Sequence, residues 1–247
     1  MSNMRRYLVV GIFLIGLVAG VGLRAASRIV VQPISVCNDI GMECANPTGQ
    51  YFETETDKIW AQAGVDISFL PMTSINATSF QHIADEAEFN SLANGAGNGQ
   101  NATGTVINMW FVDEIGAGDV AGLAFLSSPG NVLNGVAIAN KVYTDAGGAG
   151  RRDTLAHEIG HNLGLDHTLD SALRLMAPGS IRLIPISPAN ITPDGVGVSQ
   201  LTNAEIATAL ASPFVVPVPE PVSVAVMALM ACGFVTARRI RSSRSTA

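Results

Sequence analysis

Three of the four histidines in this chain fall within eleven residues, in the pattern His157-Glu158-x-x-His161-x-x-Gly164-x-x-His167. On an α-helix, residues four apart project from one face, so His157 and His161 can reach one ion at about 2.0–2.1 Å. Gly164 can adopt the left-handed conformation that ends a helix, and the chain can then return His167 to the same ion. Three neutral nitrogens leave one tetrahedral position for water, as in catalytic rather than structural zinc sites. The spacing therefore predicts one catalytic Zn²⁺ held by these histidines.

Glu158 follows the first of these histidines directly. It is expected to face the open coordination position without binding the metal. Zinc lowers the pKa of its water toward about 7, so a carboxylate is basic enough to activate that water. We predict that Glu158 is the general base and then carries the proton to the leaving amine. The remaining histidine, His82, is isolated and is interpreted as an ordinary surface or core residue.

The N-terminal residues 1–27 have the order of a secretory signal peptide. Arg5 and Arg6 precede an uncharged apolar run over residues 7–23, and small residues follow at 25–27. A basic start, an apolar stretch and small residues are typical of an export signal. The alternative interpretation is an anchor helix that is not cleaved.

The middle of the chain, residues 28–214, has the length of one domain and can bury a core of its own. Residues 28–218 contain 7 Lys/Arg and 19 Asp/Glu. A nucleic-acid-binding domain needs a basic face, so this charge balance argues against a nucleic-acid partner. Cys37 and Cys44 are the two cysteines of this domain, and in an exported protein they favour a disulfide. A cysteine that blocks the metal in a latent form is the alternative.

The hydrophobic pattern of the domain predicts strands and helices in alternation. Strands are expected at residues 28–36, 65–70, 105–112, 122–127 and 135–139, and helices at 47–63, 79–92 and 153–163. Asp153 is expected to cap the last of these helices. Thr202 and Glu205 form a capping-box pattern that predicts a final helix, with Leu201, Ile206 and Leu210 on its buried side.

The zinc-binding pattern, together with Leu175-Met176-Ala177-Pro178, resembles the signature of the metzincin metalloproteases. The resemblance implies an α+β fold with an α/β-like N-terminal subdomain. In that fold a mixed, twisted, mostly parallel sheet carries an active-site helix, and a small irregular C-terminal subdomain contains a last helix. It also implies that Met176 forms the Met-turn below the metal. Some members carry a tyrosine two residues after this methionine, but this chain has Pro178, so that subgroup is disfavoured.

The same resemblance implies where substrate binds. Gly122, Leu123 and Ala124 stand where the family has an edge strand above the cleft, and such an edge can pair with an extended peptide. Residues 176–191 are expected to shape the pocket on the primed side. No linear calcium-loop motif is present, and calcium binding stays open.

The C-terminal tail, residues 215–247, resembles the PEP-CTERM sorting signal of bacterial exported proteins. Pro219-Glu220-Pro221 precedes an apolar run at 222–237, which is predicted to be a helix, and four arginines follow. Sixteen helical residues span roughly 24 Å, a little less than the ~30 Å hydrocarbon core of a bilayer. The resemblance implies membrane contact through this helix before processing and an exosortase-like sorting enzyme as partner. A plain membrane helix is the alternative.

Together these patterns predict a bacterial zinc endopeptidase, exported across the inner membrane and then secreted or held at the cell surface. Its substrate would be a peptide or protein. One alternative is a surface-displayed matrix or adhesion protein, without enzymatic activity, in which zinc serves stability. A second alternative is hydrolysis of a non-peptide amide at the same site.

Overall fold

The sheet is organised around its longest strand, β1 (Ser27–Cys37), which has neighbours on both sides. This computed structural model describes residues 27–46, 49, 51–145 and 149–218. Ser27–Pro217 form one compact unit. The predicted signal segment, apart from Ser27, and the predicted helix at 222–237 with its basic end lie outside the described residues. Within the described part of the chain, no helix is long and apolar enough to span a membrane.

The described residues form nine strands and five helices. After β1, the strands are β2 Val65–Phe69, β3 Thr73–Asn76, β4 His82–Ile83, β5 Val106–Val112, β6 Glu114–Ile115, β7 Gly122–Ala124, β8 Val136–Ala139 and β9 Val216–Pro217. The helices are α1 Glu53–Trp60, α2 Glu86–Asn94, α3 Lys141–Thr144, α4 Thr154–Asn162 and α5 Asn203–Leu210.

The main sheet has the order β2-β1-β5-β8-β7, with β3 and β9 also paired to β1. β1, β2, β3, β5 and β8 run parallel, whereas β7 and β9 pair antiparallel with their neighbours. The fold is therefore a mixed α/β arrangement with a mostly parallel sheet, as the resemblance implies. The short strand β7 forms one edge of this sheet, and β4 pairs with β6 in a separate two-stranded sheet.

Both faces of the main sheet are covered. Every residue of β5 is buried, which is typical of a central parallel strand. One core cluster contains Trp60 of α1 and Leu155 and Ile159 of α4. The other contains Phe89 and Leu92 of α2. Helix α4 thus packs against one face of the sheet, and this packing fixes the position of α4 relative to β7.

The predicted helix at residues 79–92 is wrong in its first half. Those residues form a short 3₁₀ turn and the strand β4, and the α-helix begins only at Glu86. The reason is a cap: the Asp85 carboxylate accepts a hydrogen bond from Glu88 N at 2.9 Å, which fixes the helix start. Strand β4 then pairs in parallel with β6, a contact that no local sequence pattern predicts.

Other predicted features are confirmed. Cys37 and Cys44 form a disulfide. Thr202 and Glu205 form a capping box at the start of α5, although the fully buried residue of that helix is Ala209. Between α4 and α5 the chain is irregular apart from a short 3₁₀ turn at Pro188–Asn190, so the C-terminal part below the cleft has the predicted character.

Candidate active site

Helix α4 carries His157 and His161, and it ends just before the turn that brings His167 back toward them. Leu165 N donates to Gly160 O and Gly164 N donates to His161 O, both at 2.9 Å, which together form a Schellman ending. Gly164 has φ +92°, a value that favours glycine. The chain reverses there, and His167 returns to the helix face that carries His157 and His161.

The three imidazoles converge on one point. His157 Nε2 and His167 Nε2 lie 3.2 Å apart, and the ligand atoms of all three histidines lie within 4.8 Å of one another. Two nitrogens bound tetrahedrally at 2.0–2.1 Å would be about 3.3 Å apart, so this spacing fits a small divalent cation. Among the described residues, His157, His161 and His167 form the one group of three or more ligand-type side chains that could hold a metal ion.

The orientation of two of these rings is fixed by backbone carbonyls. His157 Nδ1 lies 2.7 Å from Leu175 O, and His161 Nδ1 lies 2.7 Å from Leu165 O. A carbonyl oxygen only accepts, so His161 Nδ1 donates and its Nε2 keeps a lone pair for a metal. His157 Nδ1 faces both the Leu175 carbonyl and Arg182 Nη1, and with a metal on Nε2 it would donate to the carbonyl. Burial lowers the pKa of both histidines, that of His157 strongly. Both rings are therefore neutral, the form that binds metal.

Glu158 is buried beside the triad, in a cavity of about 560 Å³ that the three histidines also line. In the metal-free protein, burial raises the pKa of Glu158 to about 8, and the charge of Arg182 offsets this only in part. A nearby cation favours a carboxylate, so a bound metal would bring this group toward its basic form. The carboxyl is thus placed to take up and release a proton inside the cavity.

Strand β7 forms the upper wall of this cavity, where Gly122, Leu123 and Ala124 all line it. Gly122 approaches the catalytic candidate directly: a β-carbon there would lie 2.6 Å from both Cγ and Oε1 of Glu158. Asn162 fixes the spacing between α4 and the edge, because its side chain hydrogen-bonds Phe125 O at 3.1 Å. Since β7 pairs with β8 on one side, an extended chain can add to its other side.

Met176 is fully buried below the helix that carries the histidines. A β-carbon on Gly160 would lie 2.7 Å from Met176 Sδ, so the thioether packs directly against the helix backbone. Met176 O also accepts a hydrogen bond from Thr168 N at 3.0 Å, just after His167. The assignment of Met176 to a Met-turn stays a prediction from the resemblance.

Asp153 stands at the predicted N-cap position of α4, but its side chain makes no capping hydrogen bond to the helix. Its buried carboxylate instead pairs with Arg182 Nε at 3.1 Å and accepts from Ser199 Oγ at 3.2 Å. Burial raises the pKa of Asp153, and Arg182 and Ser199 counter this in part. Arg182 also contacts the His157 ring and donates to Ala177 O at 3.1 Å. This pair therefore ties the start of α4 to the segment after Met176.

Several residues of the site are missed by reading the sequence. They are Arg151, Asn162, the Leu175 carbonyl and Arg182. After the histidine pattern, the domain has only two basic residues, Arg174 and Arg182. If Asp153 were known to be buried, one of these arginines would be expected to pair with it. The burial of Asp153 follows only from the tertiary structure, and the sequence does not distinguish Arg174 from Arg182 as its partner.

Part of this chain is similar to a known protein family. Residues 63–168 match the family described as Metallo-peptidase family M12B Reprolysin-like, a range that ends just after His167. No curated protein sequence matches this chain significantly.

Several solved structures are similar to this chain at low identity, and two of them are metalloproteins by name. Metalloproteinase-II from Bacteroides fragilis has a TM-score of 0.44 and 15% identity, over 75% of this chain and 53% of that one. Archaemetzincin from Methanopyrus kandleri has a TM-score of 0.40 and 15% identity, over 65% of this chain and 86% of that one. The chain thus spans about half the length of the Bacteroides fragilis protein.

Proposed function

We propose that this chain is a zinc-dependent endopeptidase of the metzincin type. The observation that carries the proposal is the convergence of His157, His161 and His167 beside the buried Glu158, below an open sheet edge. Two further observations support it: the match of residues 63–168 to a reprolysin-like metallopeptidase family, and three nitrogens that leave one tetrahedral position for water.

Each part of the site has a role in peptide hydrolysis. Zinc, held by the three histidines, would supply Lewis-acid activation of water and of the peptide carbonyl. Glu158 would accept a proton from the attacking water and deliver it to the leaving amine. Gly122, Leu123 and Ala124 of β7 would hold the substrate extended through main-chain hydrogen bonds. Because Glu158 is buried, its proton is largely shielded from bulk solvent.

The first experiment compares the zinc-loaded protein with its Glu158→Ala variant on a quenched peptide library. The wild type is expected to cleave peptides, and a chelator is expected to stop cleavage. The variant should keep its zinc and lose about 10²- to 10⁴-fold in turnover, the usual contribution of a general base. Glu86→Ala is the matched control, because Glu86 is exposed at the start of α2.

Three outcomes would contradict the proposal. Unchanged turnover in Glu158→Ala would remove Glu158 as the base. A zinc-loaded wild type that cleaves no peptide and no casein, with a fourth protein ligand on the metal, would favour the display protein with a stabilising zinc site. Cleavage confined to non-peptide amides would redirect the proposal to another substrate class.

We also propose export, on the pattern of the two chain ends alone. Residues 1–27 would direct the chain across the inner membrane of a bacterium, and residues 215–247 would be recognised by an exosortase-like enzyme. Cell fractionation of the full chain, with sequencing of the mature N-terminus, tests this. Recovery of an uncleaved chain in the cytoplasm would contradict it.

A further inference from the structure

The upper wall of the cavity beside the histidine triad is longer than strand β7. Six consecutive residues, 119–124, line the cavity, and only the last three of them belong to β7. We call the first three, residues 119–121, the edge extension. They end the connection from β6 to β7, which covers residues 116–121. Half of this wall therefore lies outside the strand pairing that holds β7.

Gly122 divides the wall at the position of the proposed base. A β-carbon on Gly122 would lie 2.6 Å from Glu158 Oε1, so this residue marks where the cleaved bond would lie. The edge extension lies on one side of that point, and Leu123 and Ala124 lie on the other. A peptide that adds to this wall would therefore place its residues on one side of the cleaved bond opposite the edge extension.

The connection that contains the edge extension is a turn anchored at its two ends. Gly116 and Gly118 have φ of +62° and +81°, values that favour glycine. Gly116 N donates to Ile83 O at 2.8 Å, which fixes the start of the turn on β4. At the other end, Ala139 N of β8 donates to Ala121 O at 3.0 Å. The middle of the turn needs a support of its own.

Lys141 supplies that support. Its Nζ donates to Gly118 O at 3.0 Å and to Asp119 O at 2.9 Å. Hydrogen bonds from a charged donor are stronger than those from a neutral one. In the described part of the chain, Lys141 forms no ion pair with a carboxylate. The charge of this lysine is therefore directed at the two carbonyls of the turn.

The backbone that carries Lys141 is fixed by the central sheet. Lys141 is the first residue of α3, and Asn140 connects it directly to the end of β8. Asn140 N donates to Val112 O at 3.0 Å, and Asn140 Nδ2 donates to Asp113 Oδ1 at 2.7 Å. Both acceptors lie at the end of β5. The lysine thus joins the edge extension to the rigid part of the fold.

The edge extension offers a backbone position that a longer peptide can use. Val120 lines the cavity, and its backbone makes no hydrogen bond within the described residues. The carbonyls on either side of it are already bonded, that of Asp119 to Lys141 and that of Ala121 to Ala139. Val120 is therefore held between two anchored carbonyls, and Lys141 provides one of the anchors.

We propose that Lys141 is a positioning residue, which holds the edge extension beside Gly122 and so supports peptide binding on one side of the cleaved bond and not on the other. This inference rests on the proposed peptidase function. Lys141 itself does not line the cavity. It acts through the carbonyls of Gly118 and Asp119.

The test measures KM and kcat of the zinc-loaded wild type and of Lys141→Met on two series of peptides. Both series share one cleaved bond, and they are lengthened toward the N-terminus or toward the C-terminus. Lengthening on either side is expected to lower KM of the wild type. In Lys141→Met this gain should shrink by about 5- to 10-fold on one side only, the size of a lost charge-assisted hydrogen bond. The change should appear in KM more than in kcat, because it removes binding common to the ground state and the transition state.

Lys58→Met is the matched control, because it removes another lysine that donates to a backbone carbonyl. Lys58 Nζ lies 2.6 Å from Pro188 O and 2.7 Å from Asp194 Oδ2, and none of these residues lines the cavity. This variant should keep both gains. Val120 also packs against the core, so Lys141→Met is expected to stay folded, which zinc content and thermal unfolding check. Equal losses on both sides of the bond in Lys141→Met, or the one-sided loss in Lys58→Met as well, would overturn the assignment.

Failure of this inference can be told apart from failure of the proposed function. If Lys141→Met keeps both gains, the peptidase proposal stands and the positioning role is wrong. If the wild type cleaves no peptide, the peptidase proposal fails, and binding of both series is measured with the zinc-loaded Glu158→Ala protein, with and without Lys141→Met. A one-sided loss of affinity would support the role of Lys141. Equal affinities would overturn it.

Discussion

Gly122 on the edge strand β7 and Glu158 on helix α4 are in contact in a way that no other residue type at position 122 permits. A β-carbon on Gly122 would lie 2.6 Å from both Cγ and Oε1 of Glu158. The edge strand therefore sets the position of the carboxyl group, and the absence of a side chain at position 122 is a condition for that position. A shift of β7 would therefore also shift Glu158. The strand proposed to hold the substrate and the proposed base are thus coupled in position.

Gly122→Ala is expected to displace Glu158 or push β7 outward. A misplacement of about 1 Å in an active site can cost 10²-fold in rate, so we expect kcat/KM to fall by about 10- to 100-fold. Zinc content should stay at the wild-type level, because position 122 supplies none of the three candidate ligands. Peptidase kinetics and elemental analysis measure the two effects.

Gly104→Ala is the control for that substitution. A β-carbon on Gly104 has no atom within 4 Å, and the residue lies outside the cavity. Activity and zinc content should both be unaffected. Wild-type kinetics in Gly122→Ala would contradict the tight coupling between the strand and the base.

Gly160→Ala is expected to destabilise the protein, although alanine normally favours a helix over glycine by about 1 kcal/mol. The new methyl group would lie 2.7 Å from Met176 Sδ, and Met176 is fully buried. Overpacking of this kind costs about 1–3 kcal/mol. Denaturant unfolding of the variant measures the change in the free energy of unfolding.

A double-mutant cycle with Met176→Ala separates this clash from other effects. In the Met176→Ala background the space is free, so Gly160→Ala should cost less there than in the wild type. Equal costs in the two backgrounds would show that the methionine does not limit this position.

The metal-free protein should lose stability as pH rises through the neutral range. Burial raises the pKa of Glu158 from 4.5 to about 8, so between these values the unfolded carboxyl is ionised while the folded one keeps its proton. Unfolding then releases a proton. The free energy of unfolding therefore falls as pH rises from 4.5 to about 8, by at most about 5 kcal/mol in total. Denaturant unfolding in a chelator, from pH 5 to 9, measures this.

Glu158→Gln is the control for the pH effect, because it has no proton to release. The lowered pKa values of His157 and His161 act in the opposite direction below about pH 6.5, and both proteins share that effect. The difference between the two curves therefore isolates Glu158. Parallel curves over the whole range would contradict the raised pKa.

Asp153→Asn is expected to cost about 3–5 kcal/mol of stability, because it leaves the buried Arg182 cation without its counter-charge. The two groups lie 3.1 Å apart, and both are buried. Removing the cation as well, in Asp153→Asn with Arg182→Met, should cost less than the sum of the single changes. Strict additivity in thermal or denaturant unfolding would show that the pair is not coupled.

The sequence predicts those parts of the site that are fixed by local geometry. The helix face of His157 and His161, the turn at Gly164 and the capping box at Thr202 each depend on residues three to five positions apart. The partners of Asp153 and His157 lie 29 and 18 residues further along the chain. Such pairs depend on how the irregular segment after the histidines folds back, and no periodicity encodes that path.

Contacts between residues far apart in the sequence, and side chains that bond to the backbone, also explain the errors in the predicted secondary structure. Strand β7 is three residues long, shorter than the predicted 122–127. Phe125 N still donates to Gly135 O, but Phe125 O and Gly135 N bond to the Asn162 side chain instead of continuing the ladder. Helix α2 begins late because Asp85 caps it. In both cases a side chain competes for backbone groups that the hydrophobic pattern assigns to a strand or a helix.

The hydrogen bond from His157 Nδ1 to the Leu175 carbonyl links the ring to chain that is synthesised after all three imidazoles. A fragment that stops short of Leu175 would contain every ligand and the glutamate, yet its first ring could rotate and offer either nitrogen. We therefore expect the proposed zinc site to reach its full affinity only in chains whose later segment has docked, so a zinc titration would report on completed folding.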